Sequence, residues 1–268
     1  MHKTTLARKL AEQERAKKNG SYARWYHTRD MPGSGIKTRL VCEKGAAGEL
    51  HLMSEAEHAA FLEAWWRSDV VTIFDQYALD RKKTRRAAAA LNLDHPAYGG
   101  TSEPAVLSTD LVLITRRGNL YGREAWSVKS TALGGTASLT RSQEIERKTW
   151  EDEGATYKAV TAHGMQANRS KNLAWIFRAA NETVGRDLDG EEMKARRAIE
   201  RSIRQRRPVS VIDACRDVER LLGLPAGSGI RAFRQLAGEK RIRFDLNIAD
   251  PLQLRLDDVC CCPVRKAR

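Results

Sequence analysis

Residues 107–131, LSTDLVLITRRGNLYGREAWSVKST, contain three side chains whose types and spacing could do chemistry: Asp110, Ser127 and Lys129. The apolar run Leu111-Val112-Leu113-Ile114 follows Asp110, and Trp126-Ser127-Val128-Lys129 ends a second strand-like run. Gly118-Asn119 between them can close a two-residue hairpin. Arg117 then pairs with Leu120, and counting outward sets Asp110 opposite Ser127. Side chains alternate faces along a strand, so Ser127 and Lys129 share a face and Lys129 lies diagonal to Asp110. A carboxylate and an ammonium at the open end of one hairpin admit two readings. One is a cross-strand ion pair, worth little when exposed. The other is half of a metal-dependent nuclease site, with the aspartate on a divalent cation and the lysine polarising or deprotonating the attacking water.

A further carboxylate lies upstream, in SEAEHAAFLEAWW. Ser54 with Glu57 three residues on fits the capping-box start of a helix. Phe61 and Trp65 follow Glu57 at four-residue steps, and with Leu62 they define the side that faces the core. Glu57 is therefore either a cap bonding back to Ser54 or a carboxylate aimed into the protein. The two are compatible, because a buried carboxylate needs a cation or a hydrogen-bonding partner.

The elements that must position these residues follow from the same pattern reading. Residues 70–74 predict a strand, and 81–93 a basic helix with Lys82, Lys83, Arg85 and Arg86 beside an alanine run. The hairpin comes next. A charged helix is expected over 138–154, carrying Glu144, Glu146, Arg147 and Trp150, then a strand over 157–161 and a helix over 168–180. Helix, strand, helix, antiparallel hairpin, helix, strand, helix is a mixed α/β domain, one sheet flanked by helices.

Around residues 181–190 the chain turns polar, and the pattern changes. Three helices are expected, the first over 191–205 and the others marked by Ile212, Cys215 and Val218 and by Ile230, Phe233 and Leu236. Ile242, Phe244, Leu246 and Ile248 then alternate strictly, Asp250-Pro251 makes a turn, and Leu252, Leu254 and Leu256 alternate again. Three helices and a hairpin predict a winged-helix-like domain, a module that binds DNA or protein. The expected organisation is a basic N-terminal arm (1–30), a catalytic domain (31–183), a winged-helix-like domain (190–258) and a Cys/basic tail (259–268). The arm orders against DNA or a partner subunit, or is a solvated tail. The two Gly-Ser-Gly runs, at 33–35 and 227–229, read as turn and cap chemistry.

Composition narrows the function classes. The 268 residues hold 47 Lys+Arg against 34 Asp+Glu, a net charge of +13. That excess favours a polyanionic partner, because each neutralised phosphate releases counterions. No apolar run approaches a spanning helix, and the N-terminus lacks the apolar core of a signal peptide. Nucleic acid is therefore expected rather than membrane. Five cysteines, three of them adjacent at Cys260–Cys262, form neither a disulfide framework nor a CxxC zinc pair. They read as reduced thiols in a frayed tail, in a cytoplasmic, bacterial-type, nucleoid-associated setting. With no phosphate-binding loop of the Walker type and no GxSxG elbow, NTP hydrolysis and serine hydrolysis find no support.

An acidic residue on a helix, an Asp at a strand and S-x-K on the next strand is the order used by restriction-endonuclease-like folds. Phosphodiester hydrolysis needs one or two Mg²⁺ ions to activate water and stabilise the leaving oxygen. Two carboxylates and a backbone carbonyl are suitable hard ligands. The segments HLMSEAEHAAFLEAWW, FDQYAL, LDHP, LSTDLVLI, SVK, IERKTW and NLAWI occur here in one order. Together they resemble the TnsA family, the endonuclease subunit of heteromeric cut-and-paste DNA transposases. The resemblance is specific over about residues 32–180 and collinear but fainter beyond.

That resemblance implies a restriction-endonuclease-like first domain with two Mg²⁺ ions, for which Mn²⁺ can substitute. It implies cleavage of the five-prime strands at double-stranded transposon ends. It also implies two partners: a TnsB-like integrase-type transposase that cuts the three-prime ends, and a TnsC-like AAA+ regulator. Carried over residue by residue, the catalytic glutamate falls on Glu57, the aspartate on Asp110 and the lysine on Lys129. The Val128 carbonyl would be a further metal ligand, and Glu146 in IERKTW matches another acidic position, orienting Lys129 or lying in the outer metal shell. The family has Gln or Glu two residues before the lysine, where this chain has Ser127. A serine hydroxyl reaches a metal only through a water, which leaves one or two ions open. The rival readings are a stand-alone restriction or repair nuclease and a non-catalytic DNA-binding scaffold of the same fold.

Overall fold

The computed structural model describes residues 2–30, 35–129, 139–161 and 167–262. Three of the expectations above therefore lie partly outside the described residues: the Gly33-Ser34 turn, the helix start at Ser138 and the basic end of the tail. By internal contacts the chain divides into two units, Met1–Met165 and Gln166–Arg268. The division falls earlier than the polar stretch at 181–190, because the last helix of the expected catalytic domain packs with the helices that follow it.

In the first unit, α1 (Lys3–Lys18) precedes a small hairpin of β1 (Thr38–Val41) and β2 (Glu49–Leu52), which periodicity alone does not reveal. Then come α2 (Glu55–Trp66), β3 (Val70–Ala78), α3 (Arg81–Ala90), β4 (Ser108–Arg117), β5 (Leu120–Lys129), α4 (Arg141–Asp152) and β6 (Thr156–Thr161). The main sheet has the order β3-β4-β5-β6. Its first three strands are antiparallel, and β6 runs parallel to β5. A parallel neighbour needs a crossover, and α4 supplies it. This is the expected mixed sheet flanked by helices.

The β4–β5 hairpin has the register that its turn dictates, from Arg117↔Leu120 out to Leu111↔Trp126. Gly118 takes φ 61° at the turn, which a side chain with a Cβ disfavours. Both faces of β4 are covered. Val112 packs with Ala125 and with Trp150 of α4, while Leu111 and Leu113 are fully buried on the face that α2 covers.

The arm expected at 1–30 is part of this unit. Trp25 is fully buried and packs with Leu6 of α1 and Val106. The Lys9 ammonium donates to the Trp25 carbonyl at 2.5 Å and to Asp30 at 2.7 Å. A few apolar anchors thus outweigh a basic composition that reads as a solvated tail.

The second unit contains α5 (Ala167–Asn181), α6 (Gly190–Arg204), α7 (Val211–Leu222) and α8 (Ser228–Gly238), with α8 packed against the other three. Gly227 caps α8 at φ 88°. At Gly229 a Cβ would lie 2.7 Å from the Cys215 carbonyl, so only glycine allows α7 and α8 this close. The expected hairpin over 242–256 does not form. Within it only β7 (Ile242–Arg243) forms a strand, which pairs with β8 (Cys260–Cys261), while Arg255 makes an isolated bridge to Ser210. Residues 251–253 and 256–258 are short 3-10 turns. The reason is competition for backbone partners. Asn172 of α5 donates to the carbonyls of Leu246 and Ile248. The backbone of residues 254–256 bonds to that of 209–211. The same pairing places Cys260 and Cys261 in a strand rather than a frayed tail, with all five cysteines free.

Candidate functional site

Glu57 enters from the first turn of α2, and it serves both expected roles at once. Ser54 caps the helix by accepting from the Glu57 amide at 3.1 Å. The Glu57 carboxylate turns inward and accepts from the Met53 amide at 2.9 Å and the Ser54 hydroxyl at 3.2 Å. It also receives the side-chain amide of Gln76 at 3.2 Å.

Gln76 marks an irregularity in β3. Its φ is 49°, on the left-handed side, in the middle of a strand. Phe74 and Tyr77 both pack toward the Trp150 cluster, as do Val112 and Thr109 across the ladder. Strict alternation would put each pair on opposite faces. Two residues therefore intervene where one is usual, and the strands turn Gln76 and its opposite number Asp110 out of the α4 face. Asp110 lies beside Glu57 as a result. Its Oδ1 accepts from Gln76 at 3.4 Å and its Oδ2 from the Val128 amide at 2.7 Å. One glutamine amide bridges the two carboxylates.

The electrostatics reflect that pairing. Burial pushes Glu57 up to about 7, and the neighbouring Asp110 charge adds to the shift. Burial likewise raises Asp110 to about 6, against the opposing bonds from Val128 and Gln76. Two acids this close titrate as a pair.

Lys129 is the last residue of β5, opposite Thr161 of β6 and one position beyond the amide that Asp110 holds. In an extended strand the amide and carbonyl of one residue face the same neighbour. The Val128 carbonyl therefore points toward β4, on the side of Asp110. Ser127 does not share the face of Asp110 as simple alternation requires. It is buried toward α4, where its Oγ accepts from Gln143 at 3.1 Å. Gln143 also closes the capping box of α4 with Thr140, so the start of that helix is tied directly to β5.

Glu146, one turn further along α4, is buried and accepts from the Thr109 hydroxyl at 2.6 Å. Burial pushes it up to about 8, opposed by the Thr109 bond and reinforced by the Asp110 charge. Tyr157 of β6 faces Ser127 and Glu146 without reaching hydrogen-bond geometry to either. Burial, and then the Glu146 charge, raise its hydroxyl above the ordinary tyrosine value.

The structure thus brings Glu57, Asp110 and the Val128–Lys129 strand end together, with Glu146 at their edge. Gln76 and Gln143 were the residues missed. Gln76 stands in FDQYAL, one of the segments that carry the family resemblance, but nothing in its type announces a left-handed backbone. Gln143 had a signal, since Thr140 three residues before it spells a capping box. Among the described residues no group of three or more His, Cys, Asp or Glu side chains is placed to hold a metal. The Glu57–Asp110 pair would need backbone oxygen, water or substrate to complete a coordination sphere.

Comparison with known families first places the second unit. The family described as TnsA endonuclease C terminal matches residues 166–246, starting where that unit starts. This match and the relative that follows both support a TnsA-type protein. Among curated relatives it is similar to the Transposon Tn7 transposition protein TnsA of Escherichia coli. The two are 24% identical over 242 residues, covering 90% of this chain and 85% of that protein.

Proposed function

We propose that this chain is a Mg²⁺-dependent DNA endonuclease that cleaves the five-prime strands at transposon ends. In this reading it works as one subunit of a heteromeric transposase. One observation carries it: carboxylates from two separate elements, Glu57 and Asp110, converge on the Gln76 amide with their pKa values raised. The donor set suits Mg²⁺, because two carboxylates and a backbone carbonyl are hard oxygens. Glu57, Asp110 and the Val128 carbonyl would hold the ion. When bound, Mg²⁺ supplies Lewis-acid stabilisation of the phosphate and a more acidic water.

The chain's own residues supply the rest. Asp110 is oriented by the Val128 amide, and Glu57 by the start of its own helix. Lys129, which follows Val128 at the strand end, would polarise the attacking water as an ammonium, or take its proton once present as the neutral amine. Glu146 and Ser127 brace α4 against the strands that carry the site. The +13 charge favours the phosphate backbone, which positions a protein without specifying sequence. End recognition and three-prime cleavage then belong to a TnsB-type partner, with a TnsC-type regulator on the C-terminal part.

The test is strand-specific cleavage of a labelled transposon end by the full chain with its integrase-type partner. Asp110→Ala should abolish five-prime cleavage and leave three-prime cutting by the partner intact. Undiminished five-prime cleavage in that variant would sink the assignment.

A further inference from the structure

Residues 22–25 cover the open edge of β3 at its irregular position. The Tyr22 hydroxyl donates to the Asp75 carbonyl, and the Trp25 amide donates to the Gln76 carbonyl at 2.8 Å. Between them, Arg24 Nε donates to the Asp75 carboxylate at 2.8 Å, which the His51 amide also meets at 2.7 Å. Arg24 continues to the Glu49 carbonyl at 2.7 Å, so the ion pair is anchored to β2 as well. The Tyr22 ring packs edge-on to Phe74 and stacked on Tyr77, the two residues that flank the irregular pair. Three hydrogen bonds from one short segment therefore fall on Asp75 and Gln76, and its Tyr22 ring packs on the two flanking residues. A residue with a Cβ holds a left-handed backbone only where its surroundings fix it. Here the surroundings are identifiable, and they come from a segment whose composition suggested a loose arm.

We infer that Tyr22, Arg24 and Gln76 are positioning residues for the Glu57–Asp110 pair: the N-terminal segment fixes the Asp75–Gln76 backbone, and the Gln76 amide sets how the two carboxylates face each other. The inference rests on the carboxylate pair being the metal site proposed above. None of the three residues touches the reacting atoms. They act through the backbone of β3 and the side chain of Gln76. The path runs from α1, through the buried Trp25, to Gln76 and then to both acids.

The experiment uses the full chain, with Mn²⁺ as the probe of the pair by titration calorimetry, and thermal unfolding to report the fold. Gln76→Gly suits the left-handed backbone and removes the side chain that carries the amide. It should keep the melting temperature and weaken Mn²⁺ binding about tenfold, as removing an outer partner of a metal ligand does. Tyr22→Phe deletes one hydroxyl and should weaken binding about threefold, within the same logic. Because Tyr22 acts through Gln76, the double variant should bind no worse than Gln76→Gly alone. The Mn²⁺ concentration needed for half-maximal five-prime cleavage should rise in parallel. Arg24→Lys, keeping the charge but not the forked geometry, should fall between parent and Tyr22→Phe. Unchanged Mn²⁺ dependence in Gln76→Gly and Tyr22→Phe, with binding lost in Asp110→Asn, would overturn this inference and leave the proposed site standing. Additive losses in the double variant would also overturn it. Intact Mn²⁺ binding and cleavage in Asp110→Asn would instead remove the site itself.

Discussion

Glu124 of β5 and Asp110 of β4 sit in one sheet, three ladder positions apart, or about 10 Å at the usual rise per residue. Their electrostatic situations are opposite. Glu124 receives both terminal Arg67 guanidinium nitrogens at 2.8 Å and the Lys158 ammonium at 2.9 Å, and Arg67 also pairs with Asp69. The bonds from Arg67 hold its carboxyl down at about 2. Asp110 and Glu57 accept from neutral donors: amides of Met53 and Val128, the Ser54 hydroxyl and Gln76. Their pKa values go up. A carboxylate that carries its own counter-cation is a finished structural unit. Carboxylates drawn together over neutral donors keep an unmet need for positive charge, which a proton or a metal ion can fill.

The largest test of that contrast is Asp110→Asn. Five-prime cleavage should drop about a thousandfold, equivalent to several kcal/mol of lost charge stabilisation. Relieved of its neighbour, Glu57 should titrate below its present value of about 7 in an NMR pH series. Next in size, Arg67→Ala leaves Glu124 without its forked partner and should cost about 2 kcal/mol in denaturant unfolding. Cleavage should stay within about twofold of the parent, because this end of the sheet serves only the fold.

The two ends also predict opposite pH dependence. Glu57, Asp110 and Glu146 have folded-state values near 7, 6 and 8, against ordinary values of 4.5, 3.8 and 4.5. Where the folded state holds more protons than the unfolded one, stability falls as pH rises. Their contribution is full below their ordinary values and is lost as pH climbs through the range 6 to 8. The metal-free melting temperature should therefore fall by about 5 °C between roughly pH 5.5 and 8.5. Glu146→Gln should flatten the upper part of that fall. Glu124 works the other way: its contribution is full above 4.5 and is lost only as pH drops through about 2. The smallest effect should come from Ser127→Ala. It removes one hydrogen bond to Gln143 and should cost about 1 kcal/mol, with cleavage reduced less than about threefold.

The hairpin register was legible because it depends on local facts, a Gly-Asn turn and alternating side chains. Glu57 was legible because capping and helical spacing are local too. The face of Asp110 was not. It depends on a left-handed Gln76 imposed by a segment some fifty residues away in sequence, and no window of β3 contains that information. The second unit teaches the same lesson with a different residue set. The alternation over 242–256 does mark buried side chains, such as Leu246 and Leu256. It does not say whose backbone will satisfy theirs, and Asn172 and residues 209–211 took that place. Basic composition misled at residues 1–30 for a related reason, because one fully buried tryptophan anchors a segment whose other residues are mostly polar.

The crossover through α4 has a consequence for the order in which the sheet is assembled. The β4–β5 hairpin joins residues adjacent in sequence, and such hairpins close in about 1–10 μs. β6 can pair with β5 only after the intervening chain has looped back, which makes it a slower, less local step. Asp110 and the Val128 amide therefore meet early. Glu146, carried by the α4 crossover, joins them with that slower step. The mutual repulsion of the acids then weighs on the final steps of folding rather than the first. A divalent cation present at that stage should speed refolding of the parent chain and do nothing for Asp110→Asn.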